Sequence, residues 1–274
     1  MQAAPQIPLQ QHPNFAAALN KLGRETKVIE LDGSAPVQTI VRFGLRFASR
    51  GPIWLDGPTT AQAPSVRAAR LHLINSNGGD QGALRGAGFR RIVSPVHVGE
   101  LSILGTRSDR IDRMKGKWRN SFRKALKSPQ TLQVDAFRTF RHHWLLDADL
   151  KQQKTKAFRS LPHAFLQAYS LENPKNTPVF TAYLNGEPIA AMVFLVHGSV
   201  ATYHLGWTSL LGRENGSHHA ILMRAADHLS RRGVERIDLG TVDKANAPGL
   251  ARFKIGTGAT IRPLGGTWLR LPLL

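Results

Sequence analysis

Cysteine is absent from the 274-residue chain, and acidic residues are scarce. Without cysteine there is no disulfide, no thiol nucleophile and no thiolate metal ligand. The sequence also contains no HExxH pair, no carboxylate-rich metal loop and no GxSxG elbow. It therefore predicts no metal site, and it gives no support to a zinc protease or a serine hydrolase.

Long apolar runs are also missing. The longest strongly apolar stretch covers only residues 189–196, whereas a membrane-spanning helix needs about 20 apolar residues. Residues 1–13 lack the basic and apolar regions of a secretory signal, and their Gln, Pro and Ala content predicts a flexible tail. We therefore expect a cytoplasmic protein without a transmembrane segment.

Positive charge is what the chain has in excess. It contains 37 Lys and Arg against 18 Asp and Glu, a net charge of +19. Such an excess attracts polyanions, including nucleic acid, acidic lipid headgroups and phosphorylated cofactors or carriers. Residues 107–127 concentrate it, with nine basic and two acidic side chains. The candidate anion- or substrate-binding residues there are Lys117, Arg119, Arg123 and Lys124.

Hydrophobic spacing predicts an α/β protein. In the first hundred residues we expect a helix at 14–22, strands at 27–31, 37–47 and 52–55, a helix at 63–76 and a strand at 91–98. A single basic helix is predicted over 107–128, followed by a strand at 132–137 and helices at 140–150 and 163–170. The last third predicts a hairpin at 179–196, a strand at 199–207, a helix at 218–231, and strands at 234–239 and 259–271.

The segment after the strand at 234–239 carries the strongest indication of function. The strand ends at Asp238, and a polar loop with Asp243 follows. Phe253, a candidate substrate-binding residue, and Lys254 come next. A buried strand that opens into such a loop is a common way for α/β enzymes to present a site. A transfer reaction to an amine needs positive charge where an oxyanion develops and a group that assists proton removal, and Lys254 with Asp238 or Asp243 are the candidates for these two tasks here. Asp243 is equally consistent with a turn residue, and Lys254 with a solvated lysine.

A second candidate site precedes the helix at 218–231. Backbone N–H groups at a helix N-terminus bind anions, and glycine allows a phosphate to approach the chain. The candidate phosphate-binding residues there are Arg213, Asn215, Gly216, Ser217 and His218. The alternative is a polar loop in which Ser217 caps the helix. Tyr203, on the preceding strand, is a candidate proton donor or a core aromatic residue.

These segments resemble a known family. The run Asp238-Leu239-Gly240-Thr241, followed by Leu250, Phe253-Lys254, Thr257 and Gly258, is similar to the C-terminal signature of the Fem-type peptidyltransferases and their acetyltransferase-like relatives in the GNAT superfamily. Residues 117–125 resemble the basic helix of the same proteins. Leu239 and Thr257 depart from the pattern, because the family usually has aromatic residues there.

The resemblance implies an α/β (α+β) GNAT-like fold with two GNAT-like halves packed together. On this basis residues 14–125 would be a degenerate half, and residues 126–274 would be the half that carries the site. The implied activity is N-acyl transfer to a small-molecule or peptidyl amine by direct attack, with Lys254 near the acyl group. The phosphate-bearing donor would be a thioester, either acyl-CoA or an acidic acyl carrier protein.

Two alternatives remain open from the sequence. The Fem-type ending and the high positive charge also suit an aminoacyl-tRNA donor, which would make the protein an aminoacyl transferase. Charge alone would suit a non-catalytic module that binds nucleic acid or another polyanion on a decayed GNAT scaffold. The enzyme requires Lys254, Asp238 and the 213–218 loop to meet in one cleft, whereas the binding module requires a broad basic surface.

Overall fold

The computed structural model describes residues 6–156 and 160–271. By their contacts, these residues form two compact units, one up to Val98 with the residues from Arg262 onward, and the other Gly99–Ile261. The predicted boundary at residue 125 lies inside the second unit. Of the predicted tail, residues 1–5 lie outside the described part, while Leu9 and Gln11 are buried in the first unit.

Thirteen strands and ten α-helices occur in the described residues, together with three short 3₁₀ turns. The first half of the chain contains α1 (Pro13–Lys21), β1 (Thr26–Ile29), β2 (Val37–Arg42), β3 (Leu45–Ser49), α2 (Ala63–Ala68), β4 (Leu73–Ser76), α3 (Gln81–Gly86), β5 (Arg90–Val93), β6 (His97–Ser102), α4 (Arg107–Arg113), α5 (Gly116–Leu126) and β7 (Thr131–Ala136). The second half contains α6 (Thr139–Lys156), α7 (His163–Glu172), β8 (Pro178–Leu184), β9 (Glu187–His197), β10 (Val200–Thr208), α8 (Leu210–Glu214), α9 (Ser217–Ser230), β11 (Arg236–Thr241), α10 (Pro248–Gly256), β12 (Thr260–Pro263) and β13 (Gly266–Leu269).

The first sheet has the order β1-β2-β3-β4-β13-β5. Its β3 and β4 are parallel, and its other recorded pairs are antiparallel. The predicted helix at 63–76 is wrong in its second part, because α2 ends at Ala68 and β4 follows. Arg70 has a φ of 52°, which interrupts the helix. The predicted strand at 37–47 is two strands, with Phe43 and Gly44 at positive φ in the turn between them.

The second sheet has the order β12-β6-β11-β10-β9-β8-β7. Strands β7 to β10 are antiparallel neighbours, and β10 and β11 are parallel, joined through α8 and α9. The predicted order of antiparallel strands, a helix and a returning strand is confirmed. The mixed α/β class is confirmed as well.

Strands β10 and β11 separate part-way along their length. Their parallel register runs only from Val200 opposite Arg236 to Thr202 opposite Asp238, although both strands continue further. Immediately beyond this point β10 carries a bulge between Tyr203 and Leu205. We call the opening beyond Thr202 and Asp238 the strand fork, and the candidate side chains are described relative to it.

Helices cover both faces of the second sheet. On one face, Ile221 and Leu222 of α9 pack into a core with Phe194, Ala201 and Ile237. On the other face, α6 and α7 lie against β9 and β10. There the Tyr169 hydroxyl donates to the Val196 carbonyl at 2.8 Å, and the rings of Trp144 and Trp207 lie 5.4 Å apart.

Three further predictions of regular structure need correction. The basic helix at 107–128 is two helices, because Met114 has an extended conformation with ψ of 143° between α4 and α5. The polar loop before Lys254 gives way to α10, so Phe253 and Lys254 lie on a helix. The final strand at 259–271 is two strands that join different sheets. Within the residues described, no helix is both long and apolar enough to cross a membrane.

Candidate functional site

Lys254 lies buried at the end of β11. Its side chain reaches from α10 to the strand, where Nζ donates a hydrogen bond to the Thr241 carbonyl at 2.8 Å. Only 6% of the residue is exposed. Burial lowers the pKa of Lys254 to about 8, and the nearby negative charge of Asp238 limits the decrease. A lysine held in this way keeps its positive charge at neutral pH in a poorly solvated place.

Asp238 stands on β11 at the start of the strand fork. It is 3% exposed, and its Oδ1 accepts a hydrogen bond from the Gly240 N–H at 2.8 Å. Thr202 on β10 is its partner in the parallel register. The structure therefore brings two of the predicted site residues together, with Asp238 orienting the strand end and acting electrostatically on Lys254.

Asp243 has the geometry of a turn residue. Its Oδ1 accepts from the backbone N–H groups of Ala245 and Asn246, both at 2.9 Å, and its Oδ2 accepts from the Asn246 amide at 2.7 Å. These hydrogen bonds, above all those from Asn246, lower the pKa of Asp243. The carboxylate shapes the loop that leads into α10.

Phe253 fixes α10 against α5. Its ring lies 5.8 Å from Trp118 and 5.2 Å from His219, measured between centroids. Gly256 permits this approach, because a Cβ there would lie 2.6 Å from Cδ1 of Trp118. The sequence proposed Phe253 as a substrate contact, and in the structure it anchors the helix that carries Lys254.

The N-terminus of α9 is closed by other parts of the second unit. Gly216 has a φ of 63°, and a Cβ on it would lie 3.0 Å from the Ser121 carbonyl oxygen of α5. Ser217 is fully buried, and its hydroxyl donates to the Gln130 side chain at 2.6 Å. Two of the five residues proposed to hold phosphates, Gly216 and Ser217, therefore face protein.

The other residues of this loop differ in exposure. Asn215 accepts from the Ser128 hydroxyl at 2.8 Å, which ties the loop to the end of α5. His218 approaches the Trp207 carbonyl through Nε2 at 2.8 Å, and burial lowers its pKa to about 4. Arg213 is exposed, and its charge, after burial, helps to lower the pKa of Lys156. Of the proposed phosphate ligands, only Arg213 is exposed.

The basic helix α5 has one packed face and one solvated face. Trp118, Phe122 and Ala125 are buried, whereas Lys117, Arg123 and Lys124 are exposed. Arg119 is partly buried, and its guanidinium donates to the Met114 carbonyl at 3.0 Å. The predicted division between a packed face and a charged face is confirmed, while the ligand of the charged face stays a prediction.

Tyr203 packs on the core side of the sheet. Its ring lies 5.8 Å from that of Phe194, and its hydroxyl lies directly over Gly206. Burial, followed by the negative charge of Asp149, raises the pKa of Tyr203 above its usual value. A tyrosine in this environment stays protonated.

Comparison of this chain with known proteins identifies its family. Residues 112–255 match the family model of the acetyltransferase (GNAT) domain, and this match covers just over half of the 274 residues. The chain belongs to the GNAT acetyltransferase family. It is accordingly an acyltransferase, and every predicted site residue lies within the matched region. No curated protein sequence matches the chain.

Solved structures with the same fold agree with this assignment. FemX superposes with a TM-score of 0.72 at 12% identity, covering 95% of this chain and 93% of FemX. L-PGS from Bacillus licheniformis gives 0.54 at 13%, covering 96% and 93%. The C-terminal domain of a putative lysylphosphatidylglycerol synthetase from Agrobacterium fabrum gives 0.56 at 16%, covering 96% and 89%. At these identities the likeness concerns the fold.

The second face of the GNAT sheet holds a cluster that the sequence did not reveal. The Asp149 carboxylate, 3% exposed, pairs with the His163 Nε2 at 2.8 Å and accepts from the Gln153 amide at 2.6 Å. His204, in the bulge of β10, lies beside this pair. Asp149, His163 and His204 come from three separate elements, α6, α7 and β10, so no local motif connects them. The sequence feature that could have indicated this cluster is Asp149, an acidic residue within the helix predicted at 140–150.

In the described part of the chain, no group of three or more His, Cys, Asp or Glu side chains is placed to hold a metal ion.

The burial of Lys254 has a measurable consequence for the stability of this GNAT enzyme. The unfolded lysine has a pKa of 10.5 and the folded one about 8, so the unfolded state binds more protons between these pH values. Stability should therefore rise with pH across this interval. We expect Lys254→Met to be more stable than the wild type at pH 7 by up to about 3 kcal/mol.

Urea unfolding of both proteins at pH 7 and pH 10 measures this effect. The wild type should approach the variant in stability at pH 10, because the folded lysine is then neutral while the unfolded lysine is still mostly protonated, so most of the gain between the two pKa values has been reached. A constant difference at the two pH values would show that the lysine does not titrate as its burial indicates.

Proposed function

We propose that this GNAT enzyme transfers an aminoacyl group from aminoacyl-tRNA to an amine, by direct attack and without a covalent enzyme intermediate. The observation that carries the choice of donor is the closed N-terminus of α9. A thioester donor such as acyl-CoA would need this position for its diphosphate. An aminoacyl-tRNA needs room only for its 3′ end and can lay its phosphates on the outer surface.

The contacts at α9 make the argument specific. A diphosphate at the N-terminus would have to displace the Ser121 carbonyl from Gly216 and the Gln130 amide from Ser217. Ser121 belongs to α5, and Gln130 is tied to this helix because its amide donates to the Ala125 carbonyl at 3.1 Å. Trp118 and Phe122 of the same helix are buried in the core. Admitting the diphosphate would therefore require α5 to leave its place, at the expense of a large apolar contact.

The charge of the chain supports the same donor. A net charge of +19 and the exposed Lys117, Arg123 and Lys124 of α5 suit a long polyanion better than a compact cofactor. The resemblance of residues 238–258 to the Fem-type signature also favours aminoacyl-tRNA. Of the similar structures, FemX carries the Fem name, and two others carry the name of a lysylphosphatidylglycerol synthetase or its abbreviation.

The residues at the strand fork have complementary tasks in this reaction. The amine nitrogen adds to the ester carbonyl of the aminoacyl group, and the carbonyl oxygen becomes an oxyanion. Lys254, charged at neutral pH and poorly solvated, would stabilise that oxyanion. Asp238 accepts the hydrogen bond from the Gly240 N–H, and its negative charge favours the protonated form of Lys254. The ester C–O bond then breaks, and the 3′ hydroxyl of the tRNA leaves.

Aminoacyl transfer to a simple amine tests the proposal. The full-length protein is mixed with tRNA charged with radiolabelled amino acids, and hydroxylamine serves as a generic amine acceptor. We expect aminoacyl hydroxamate to form faster than in the absence of protein. Acetyl-CoA and longer acyl-CoA are tested in parallel, and phosphatidylglycerol vesicles replace hydroxylamine in one arm.

The outcomes separate the candidate donors and acceptors. If hydroxamate forms from an acyl-CoA but not from charged tRNA, the proposed donor is wrong and a thioester is the donor instead. Transfer only to the phosphatidylglycerol vesicles would show that the acceptor is a lipid hydroxyl and not an amine. Tight, salt-sensitive tRNA binding without any transfer from tRNA or acyl-CoA would favour the non-catalytic binding module instead.

A further inference from the structure

We propose that His204 takes the proton from the attacking amine during transfer, and that Asp149 and His163 position it for this step. The inference rests on the proposed transfer to an amine, and it supplies the proton acceptor that the reaction needs. The two acids predicted for this task are engaged elsewhere, since Asp243 holds its turn and Asp238 binds the Gly240 N–H.

His204 lies at the strand fork on the face that carries Asp238. Ile237 and Leu239 belong to the core on the α9 side, so Asp238 between them points to the opposite face. Thr202 is the register partner of Asp238, and His204 follows Thr202 by two residues. His204 thus stands on β10 just beyond the last paired position, where the strand fork begins.

The bulge separates His204 from the core. The ring of Tyr203 contacts Phe194 on the α9 side, whereas the ring of His204 lies 6.2 Å from Phe165 of α7 on the other side. His204 is partly exposed, and no described protein group hydrogen-bonds to its ring nitrogens. An imidazole of this kind is able to accept a proton from a bound ligand.

The pair formed by Asp149 and His163 lies next to the bulge. Gln152 of α6 donates to the Gly206 carbonyl at 3.1 Å, two residues beyond His204. Asp149 is three residues before Gln152, on the same side of α6. His163 is two residues before Phe165, which contacts His204. The charged and titratable groups that face His204 are therefore Asp149 from α6 and His163 from α7, with Tyr203 adjacent on its own strand.

The electrostatics suit a transient proton acceptor. Burial lowers the pKa of His204 to about 4, while Asp149 acts in the opposite direction and His163 in the same direction as burial. His204 is therefore neutral when the substrate arrives. Once it gains a proton, the Asp149 carboxylate stabilises the imidazolium.

The proton balance of the step is complete. The neutral amine attacks the ester carbonyl, and the adduct carries a positively charged nitrogen and an oxyanion. That nitrogen is far more acidic than a free ammonium, so a weakly basic imidazole is able to take its proton. When the C–O bond breaks, the imidazolium returns the proton to the departing 3′ oxygen. His204 ends the cycle neutral, and no other reactant is needed.

The test uses the full-length protein, charged tRNA, and acceptors of rising basicity, namely hydroxylamine, glycinamide and ethylamine. We expect His204→Gln to lower kcat roughly 100-fold, with the KM for tRNA unchanged. Asp149→Asn should move the acid limb of the kcat/KM profile to lower pH, because the charge that raises the pKa of His204 is lost.

A matched control lies on the same helix. His143 and Asp147 form an exposed pair at 3.1 Å, so His143→Gln and Asp147→Asn change the same residue types away from the fork. Both should leave kcat and the pH profile unchanged. If Asp149→Asn lowers activity equally at every pH together with the melting temperature, the pair is only structural. Wild-type kcat in His204→Gln would overturn the assignment, and an inactive wild type would overturn the proposed function together with it.

Discussion

Replacing Lys254 with methionine is expected to lower kcat for aminoacyl transfer by roughly 100- to 1,000-fold, with little change in tRNA affinity. Methionine keeps most of the buried aliphatic chain but removes the ammonium that donates to the Thr241 carbonyl. The loss should fall on kcat because the charge acts on an oxyanion that exists only after the amine has attacked. Single-turnover transfer to hydroxylamine, with saturating protein, measures the chemical step directly.

Lys244 provides the matched control for this variant. It lies in the loop between β11 and α10 and is exposed, so Lys244→Met removes the same charge ten residues away in sequence. Its kcat should stay within about twofold of the wild type, as expected for a screened surface charge. Equal losses in the two variants would show that positive charge in this loop, rather than the buried ammonium, supports the reaction.

The second sheet could be predicted from the sequence because its signals are local and agree with one another. The Asn-Gly turn, the alternating strands and the amphipathic helix at 218–231 each indicate a single structure. The first sheet was harder to predict for a physical reason. Strand β4 is only four residues long and lies between β3 and β13 in the sheet. A short run of this kind is indistinguishable from part of a helix by periodicity.

The candidate site was only partly predictable from the sequence, for a similar reason. Lys254 and Asp238 follow one motif, and the fold brings them together as expected. Whether Gly216 and Ser217 are open to a ligand depends on α5 and Gln130, which cover them and lie nearly a hundred residues earlier in the chain. The pairing of Asp149 with His163 depends on how α6 and α7 lie against each other, which no local pattern reports.

The exposed face of α5 has its own expected effect on donor binding. Replacing Lys117, Arg123 and Lys124 together with alanine should weaken tRNA binding at least tenfold and reduce the salt slope by about three. The reason is that each phosphate contact releases condensed counterions, so three lost contacts appear directly in the dependence of log Kd on log salt. Fluorescence anisotropy with labelled tRNA between 50 and about 200 mM salt provides the measurement.

Net charge alone must be separated from the location of the charge. A control variant with Lys21, Arg24 and Arg85 replaced by alanine also removes three exposed positive charges, but from the first unit. If α5 is the binding surface, this control keeps most of the affinity and most of the salt slope. Similar losses in both triple variants would mean that tRNA is attracted by the overall field of the protein. The α5 face would then have no special part in presenting the aminoacyl end to Lys254.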